Sequence, residues 1–203
     1  MAKCFTIKDD HNDNSISSTV WTTPAWGGAQ VAETNNQLEI TSTLASGYYG
    51  LDTPQSHDLT SSRFVAQIVG CTSSSIPSLE MYILLSTDGT GNNQLLWLAS
   101  PYNNNISAYK KIAGVSTWVG QLTYTTYVGV AGQSLYCGFE ERNGTTYFVY
   151  SLGGRVWREL YSESNPLTYT SVRMGYMIGT WQAEASTGIA QFDNLNFLKR
   201  RIN

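Results

Sequence analysis

Carboxylates, two histidines and a large stock of aromatic rings are the side chains in this 203-residue sequence with which chemistry could be done. Glu80 stands alone in "SLEMYILLSTDG", with Asp88 eight residues on, and Glu140 and Glu141 are neighbours just before an Asn-Gly pair. Cleaving a glycosidic bond takes two carboxyl groups on either side of it, about 5–5.5 Å apart for retention or about 6.5–9.5 Å for inversion. Successive residues on a strand point to opposite faces, so Glu140 and Glu141 do not form such a pair. All these carboxylates read as solvated strand and turn residues. His11 in "DDHND" and His57 in "QSHDL" sit in polar strings with no GxSxG elbow anywhere in the chain, and both read as surface-loop residues. No catalytic residue is assigned, and the chain is expected not to be an enzyme.

The aromatics point elsewhere. Trp26, Tyr48, Tyr49, Tyr102, Trp118 and Trp181 lie beside Gly, Pro or Asn rather than inside apolar runs, so loops would display them. An aromatic face stacked on a sugar ring, with amides and hydroxyls at the rim, is the physics of a glycan site. These six are the expected ligand-binding residues. Trp97, Trp157, Phe64 and Phe148 sit in strand patterns and belong to the core.

The elements that must position them are strands. In "GGAQVAETNNQLEITST" (27–43), Ala29, Val31, Leu38 and Ile40 alternate with polar neighbours on both sides of Asn35-Asn36, the period of a half-buried antiparallel pair around a tight turn. "LYCGFEERNGTTYFVYS" (135–151) turns at Asn143-Gly144, and "YFVYSLGGRVWREL" turns again at Gly153-Gly154. "SRFVAQIVG" (62–70), "LEMYILLS" (79–86), "QLLWLAS" (94–100), "ISAYKKI" (106–112), "YTSVRMGYMIG" (169–179) and "GIAQFDNLNFL" (188–198) read as further strands. No segment has a helical period and neither repeat nor linker divides the chain. The expectation is one all-β domain over 1–203, with roughly a dozen strands in two packed antiparallel sheets.

Composition narrows the setting. Only 13% of residues are charged and the net charge is −3, so the surface is polar through Ser, Thr, Asn and Tyr. A protein that meets phosphates needs clustered Lys and Arg, and the one basic run, Lys199-Arg200-Arg201, is terminal, so nucleic acid is excluded as a partner. The N-terminal "MAKCFTIKDDHND" lacks the apolar core of a signal peptide, and no apolar run is long enough for a membrane helix. Synthesis in the cytoplasm, without membrane insertion, is expected. Cys4, Cys71 and Cys137 are odd in number and widely spaced, which gives neither a disulfide framework nor a zinc motif.

The order of these features resembles the concanavalin A-like lectin/glucanase superfamily, the jelly-roll sandwich also seen in laminin-G-like modules. The residues that carry the resemblance are "NDNSISSTVWTT", "GGAQVAETNNQLEIT", "SRFVAQIVG", "YFVYSLGGRVWREL" with Trp157 after its turn, "VRMGYMIG" and the closing "AQFDNLNF" with Asp193-Asn194. The resemblance implies a concanavalin A-like jelly roll. Retaining glucanases of the superfamily carry a motif like Glu-x-Asp-x-x-Glu on one strand face, and this chain lacks it. Many members hold a structural calcium between an N-terminal loop and a C-terminal acidic residue, and Asp9, Asp10, Asp13 and Asp193 are similar in type and placement. Calcium takes six to eight oxygens, and the sequence matches no calcium loop, so no cofactor is assigned and a turn-forming acidic cluster is the favoured reading.

Three functions fit. The first is a non-catalytic bacteriophage virion protein, a capsid decoration or tail component working as a symmetric homo-oligomer among other virion proteins on the virion surface and binding surface glycans. The second is a free carbohydrate-binding lectin module. The third is a glycoside hydrolase with an unrecognised active site.

Overall fold

Three turns made of residues that tolerate positive φ set up the register of the sheets. The computed structural model describes residues 1–22, 25, 27–28, 30–54, 56–71, 76–87, 91–123 and 134–196. Its strands are β1 Gln30–Thr34, β2 Gln37–Thr41, β3 Gly47–Asp52, β4 Arg63–Cys71, β5 Leu79–Ser86, β6 Gln94–Ser100 and β7 Asn105–Ile112. They continue with β8 Val115–Thr123, β9 Leu135–Arg142, β10 Thr145–Leu152, β11 Val156–Ser164, β12 Arg173–Thr180 and β13 Ile189–Asp193. Asn35-Asn36 (φ 55° and 59°), Asn143-Gly144 (52° and 79°) and Gly153-Gly154 (70° and 73°) join β1 to β2, β9 to β10 and β10 to β11, as their left-handed tolerance predicts. A fourth hairpin, β7 to β8, turns at Ala113-Gly114 (50° and 83°), where alanine occupies a position that sequence reading assigns to Asn or Gly.

All pairings between these strands are antiparallel. One sheet has seven strands in the order β1-β2-β13-β4-β9-β10-β11, and the other has six in the order β3-β12-β5-β6-β7-β8. Alternate residues of both sheets fill the space between them: Phe64, Ala66 and Ile68 from β4 and Phe139 from β9 on one side, Met81, Ile83 and Leu85 from β5 and Tyr176 and Ile178 from β12 on the other. Each large side chain so buried contributes roughly 1.5–3 kcal/mol. β9 and β4 can lie side by side only because position 138 is glycine: a Cβ there would sit 2.0 Å from the Phe64 carbonyl oxygen.

The N-terminal segment is stitched to the far end of the chain. Asn196 accepts from the Val65 amide (3.0 Å) and donates to the carbonyls of Cys4 (2.8 Å) and Ile7 (2.7 Å), and Asp9 bridges Leu195 through the backbone. Both histidines depart from the surface-loop expectation. His11 is fully buried under this segment, and His57 is buried where its backbone bridges Val172, because the loops that carry them fold over the sandwich ends.

Candidate functional site

The six-stranded sheet turns its second face away from the core, and that face is apolar where a solvated sheet would be polar. By register, Tyr48, Gly179 and Glu80 lie in one row across β3, β12 and β5. Gly50, Met177, Tyr82 and Leu98 form the next row, and beyond it Leu84, Leu96, Tyr109 and Trp118 continue onto β6, β7 and β8. Tyr48, Tyr82, Met177, Leu96, Leu98 and Tyr109 line a cavity of about 440 Å³, with Gln94, Lys111 and Ser116 as its polar rim. Apolar floor, aromatic walls and a few polar groups are the composition of a ligand groove.

Two of the expected ligand residues stand at its borders. Tyr48 is 46% exposed and Trp118 56% exposed, each on an edge strand of the sheet. Both lie on strands, β3 and β8, and not on loops, so the adjacent glycines and asparagines that suggest loops in the sequence are strand and turn residues here. The Tyr48 ring covers Gly179, where a Cβ would be 2.3 Å from the ring, and meets Tyr82 edge-on at 6.0 Å. Tyr49 does not join them. It is 7% exposed and faces the core, with its hydroxyl hydrogen-bonded to Thr43 Oγ1 (2.6 Å) and donating to the Ala45 carbonyl (3.1 Å). That is the consequence of alternation on β3: one tyrosine of the pair must point inward. Tyr102, in the turn after β6, and Trp181, just after β12, are exposed and follow strand ends at the end of the sheet where Glu80 lies. Trp26 lies outside the described residues.

Glu80 is the carboxylate that sequence reading passed over. Tyr82 Oη donates to its Oε2, and burial raises the carboxyl pKa against the lowering effect of that bond. Burial, with the Glu80 charge second, pushes the Tyr82 phenol far up, so it stays protonated and remains a donor. Glu80 is thus a half-buried acid on the groove face and not a solvated turn residue. The other carboxylate placed on this face by register is Asp52, which lies beside Gly175 and is held by Arg173 at 3.4 Å. Four residues along β12 separate the two rows, about 13 Å, which exceeds the spacing of a two-carboxylate mechanism. Asp88 lies outside the described residues.

Glu141 also departs from the solvated reading. It is 1% exposed and accepts from the amides of Ser61 and Gly144 (2.7 Å) and from Asn165 Nδ2 (3.2 Å). Burial alone would raise its pKa, yet these donors outweigh it and hold the carboxyl below its ordinary value. It is a structural anchor for the Asn143-Gly144 hairpin. Its partner Glu140 lines a separate notch of about 410 Å³ with Phe5, Arg63 and Arg142, on the other sheet.

The four acidic residues weighed as calcium donors all lie close enough to His11 for their charges to act on it. Asp10 accepts from Asn12, Asp13 closes a turn with Ser15 and also meets the buried Glu33 carboxyl, and Asp193 accepts from Asn194, while Asp9 turns inward, to Trp21 and His11. Among the described residues the side-chain donors that come within ligand distance of one another are Asp9, His11 and Glu33, a mixed nitrogen and oxygen set and not the carboxylate-rich set that calcium takes.

No family model and no curated protein matches this chain. Solved structures do. A glycosidic hydrolase matches with a TM-score of 0.65 at 10% identity, over 93% of each chain. A non-specific endo-β-1,3(4)-glucanase of family GH16 matches with a TM-score of 0.63 at 11% identity, over 93% of this chain and 88% of its own. The carbohydrate-binding module CBM66 from Bacillus subtilis matches with a TM-score of 0.55 at 13% identity, over 87% of this chain and 94% of its own. The fold is a concanavalin A-like jelly roll. At these identities the likeness establishes architecture alone. It nonetheless overturns the expectation that the chain is not an enzyme: glycoside hydrolases share this jelly roll, so the absence of Glu-x-Asp-x-x-Glu does not exclude catalysis.

Proposed function

We propose that the outer groove of the six-stranded sheet binds a neutral glycan. The observation that carries this is the set of rings on one sheet face, with Tyr48 and Trp118 exposed, Tyr109 half-exposed and Tyr82 buried against Tyr48, over an apolar floor with a polar rim of Gln94, Ser116 and Lys111. Sugar rings offer apolar faces and hydroxyl edges to match. The kinds of proteins that share the fold, a carbohydrate-binding module and glycan hydrolases, support the same class of ligand. The test is calorimetric titration with β-1,3(4)-glucan oligosaccharides and a panel of other neutral glycans. Binding should weaken in Tyr48→Ala and Trp118→Ala and change little between low and high salt, since little of it is Coulombic. Binding that survives both substitutions places the site elsewhere.

A second reading rests on Glu80. A carboxyl whose pKa burial raises, on the groove face and held by a phenol, has the properties of a proton donor to a leaving oxygen. Release of reducing sugar from the panel, abolished by Glu80→Gln while binding persists, would establish it. Binding without turnover would leave the groove as a lectin-like site. The proposal concerns the glycan alone, because none of the relatives described above is a virion protein, and neither particle nor symmetric oligomer finds support in them.

A further inference from the structure

Away from the groove, at the end of the sandwich closed by the N-terminal segment, Asp9 and His11 of that segment converge with Glu33 of β1. One ligand atom from each lies within 4.8 Å of the others. His11 Nδ1 is 3.0 Å from Glu33 Oε1 and 3.4 Å from Asp9 Oδ1, with the His11 and Glu33 side chains fully buried. A tetrahedral ion with bonds near 2.05 Å holds its ligands about 3.3 Å apart, close to the two distances measured from His11 Nδ1. The free oxygen of each carboxylate is already fixed: Trp21 Nε1 donates to Asp9 Oδ2 at 2.7 Å, and the Ser15 amide donates to Glu33 Oε2 at 3.1 Å. Outer bonds of this kind are what orient metal ligands. The aromatic rings of Trp21 and Tyr176, which pack on each other, both contact the imidazole, at 6.0 and 5.9 Å, and help keep it in place.

The geometry points to a structural site for a zinc-class divalent transition-metal ion bound by His11 Nδ1, Asp9 Oδ1 and Glu33 Oε1, not for calcium. The nitrogen donor decides the class: calcium takes oxygen cages of six or more, whereas imidazole with carboxylates suits zinc, cobalt and nickel. The three ligands join the N-terminal segment to β1, and Asp9 bridges the closing segment at Leu195, so the ion would lock both chain ends onto the sandwich.

The test is independent of any glycan. Chelator-stripped full chain is titrated with Co²⁺, Zn²⁺ and Ca²⁺, reading the visible d–d bands of Co²⁺ and the melting temperature. The expected result is a set of cobalt d–d bands that one equivalent of Zn²⁺ removes, with melting raised by several degrees by Zn²⁺ and unmoved by Ca²⁺. Glu33→Gln, which keeps shape and one acceptor, should fold and lose at least tenfold in cobalt affinity. His11→Asn serves as the second variant, and should abolish the spectrum. A folded wild type with no cobalt bands, stabilisation by Ca²⁺ instead, or a spectrum unchanged in Glu33→Gln each overturns the assignment.

Discussion

Trp97 of the six-stranded sheet reaches across the interior to donate from Nε1 to the carbonyl of Gly138 in the seven-stranded sheet, at 2.9 Å. The bond is buried, and it ties the layers together at the point where Phe148 packs on the indole with ring centroids 6.2 Å apart. Trp97→Phe keeps most of the ring and removes the donor. Stability should fall by about 1–3 kcal/mol, the cost of leaving a buried carbonyl without this partner. Chemical denaturation measures it, and glycan binding in the groove on the opposite face of β6 should be unchanged.

The two neighbouring tyrosines on β3 should behave oppositely. Tyr49→Ala opens a core cavity and should cost about 3–5 kcal/mol. Tyr48→Ala removes an exposed ring, and should leave the melting temperature nearly intact while weakening glycan binding roughly tenfold. Thermal melting and titration on both variants check the pair.

Gly179→Ala is a subtler probe of the same wall. The added methyl would occupy the place of the Tyr48 ring, 2.3 Å from its nearest atom. Tyr48 is exposed enough to swing aside, so the expected outcome is weaker glycan binding with a modest loss of stability.

Glu141 predicts a pH dependence. Its folded pKa lies below the unfolded value of 4.5, so its stabilisation is complete above about 4.5 and is lost as pH falls through the lower, folded value. Glu141→Gln should therefore be less stable at neutral pH, by roughly 1–3 kcal/mol, and the gap to wild type should narrow on acidification. Denaturation midpoints from pH 7 down to 3 on both proteins provide the check.

Local rules made the hairpins at Asn35-Asn36, Asn143-Gly144 and Gly153-Gly154 legible, since each turn carries its φ requirement in its own residues. The apolar runs of β5 and β6 were legible for the same reason. The β7–β8 hairpin was not, because Ala113 adopts a left-handed φ that nothing in its side chain advertises, and so Trp118 reads as a loop residue when it stands on a strand. Glu80 was misread for a different reason. Its burial comes from Tyr82 two residues on and from the layering of β3 and β12, and the latter is a relation between segments a hundred residues apart. His11 shows the same limit: its polar neighbours in sequence suggest solvent, but its neighbours in space are Trp21, Tyr176 and Glu33.

Tyr48 and Trp118 occupy the two opposite margins of the six-stranded sheet. Five inter-strand spacings separate those margins, about 24 Å at 4.7–4.9 Å each. Hydrogen bonding fixes that span, not loop conformation, so the sheet works as a calliper: a short sugar can reach one jaw, and only an extended chain lying across all six strands can touch both.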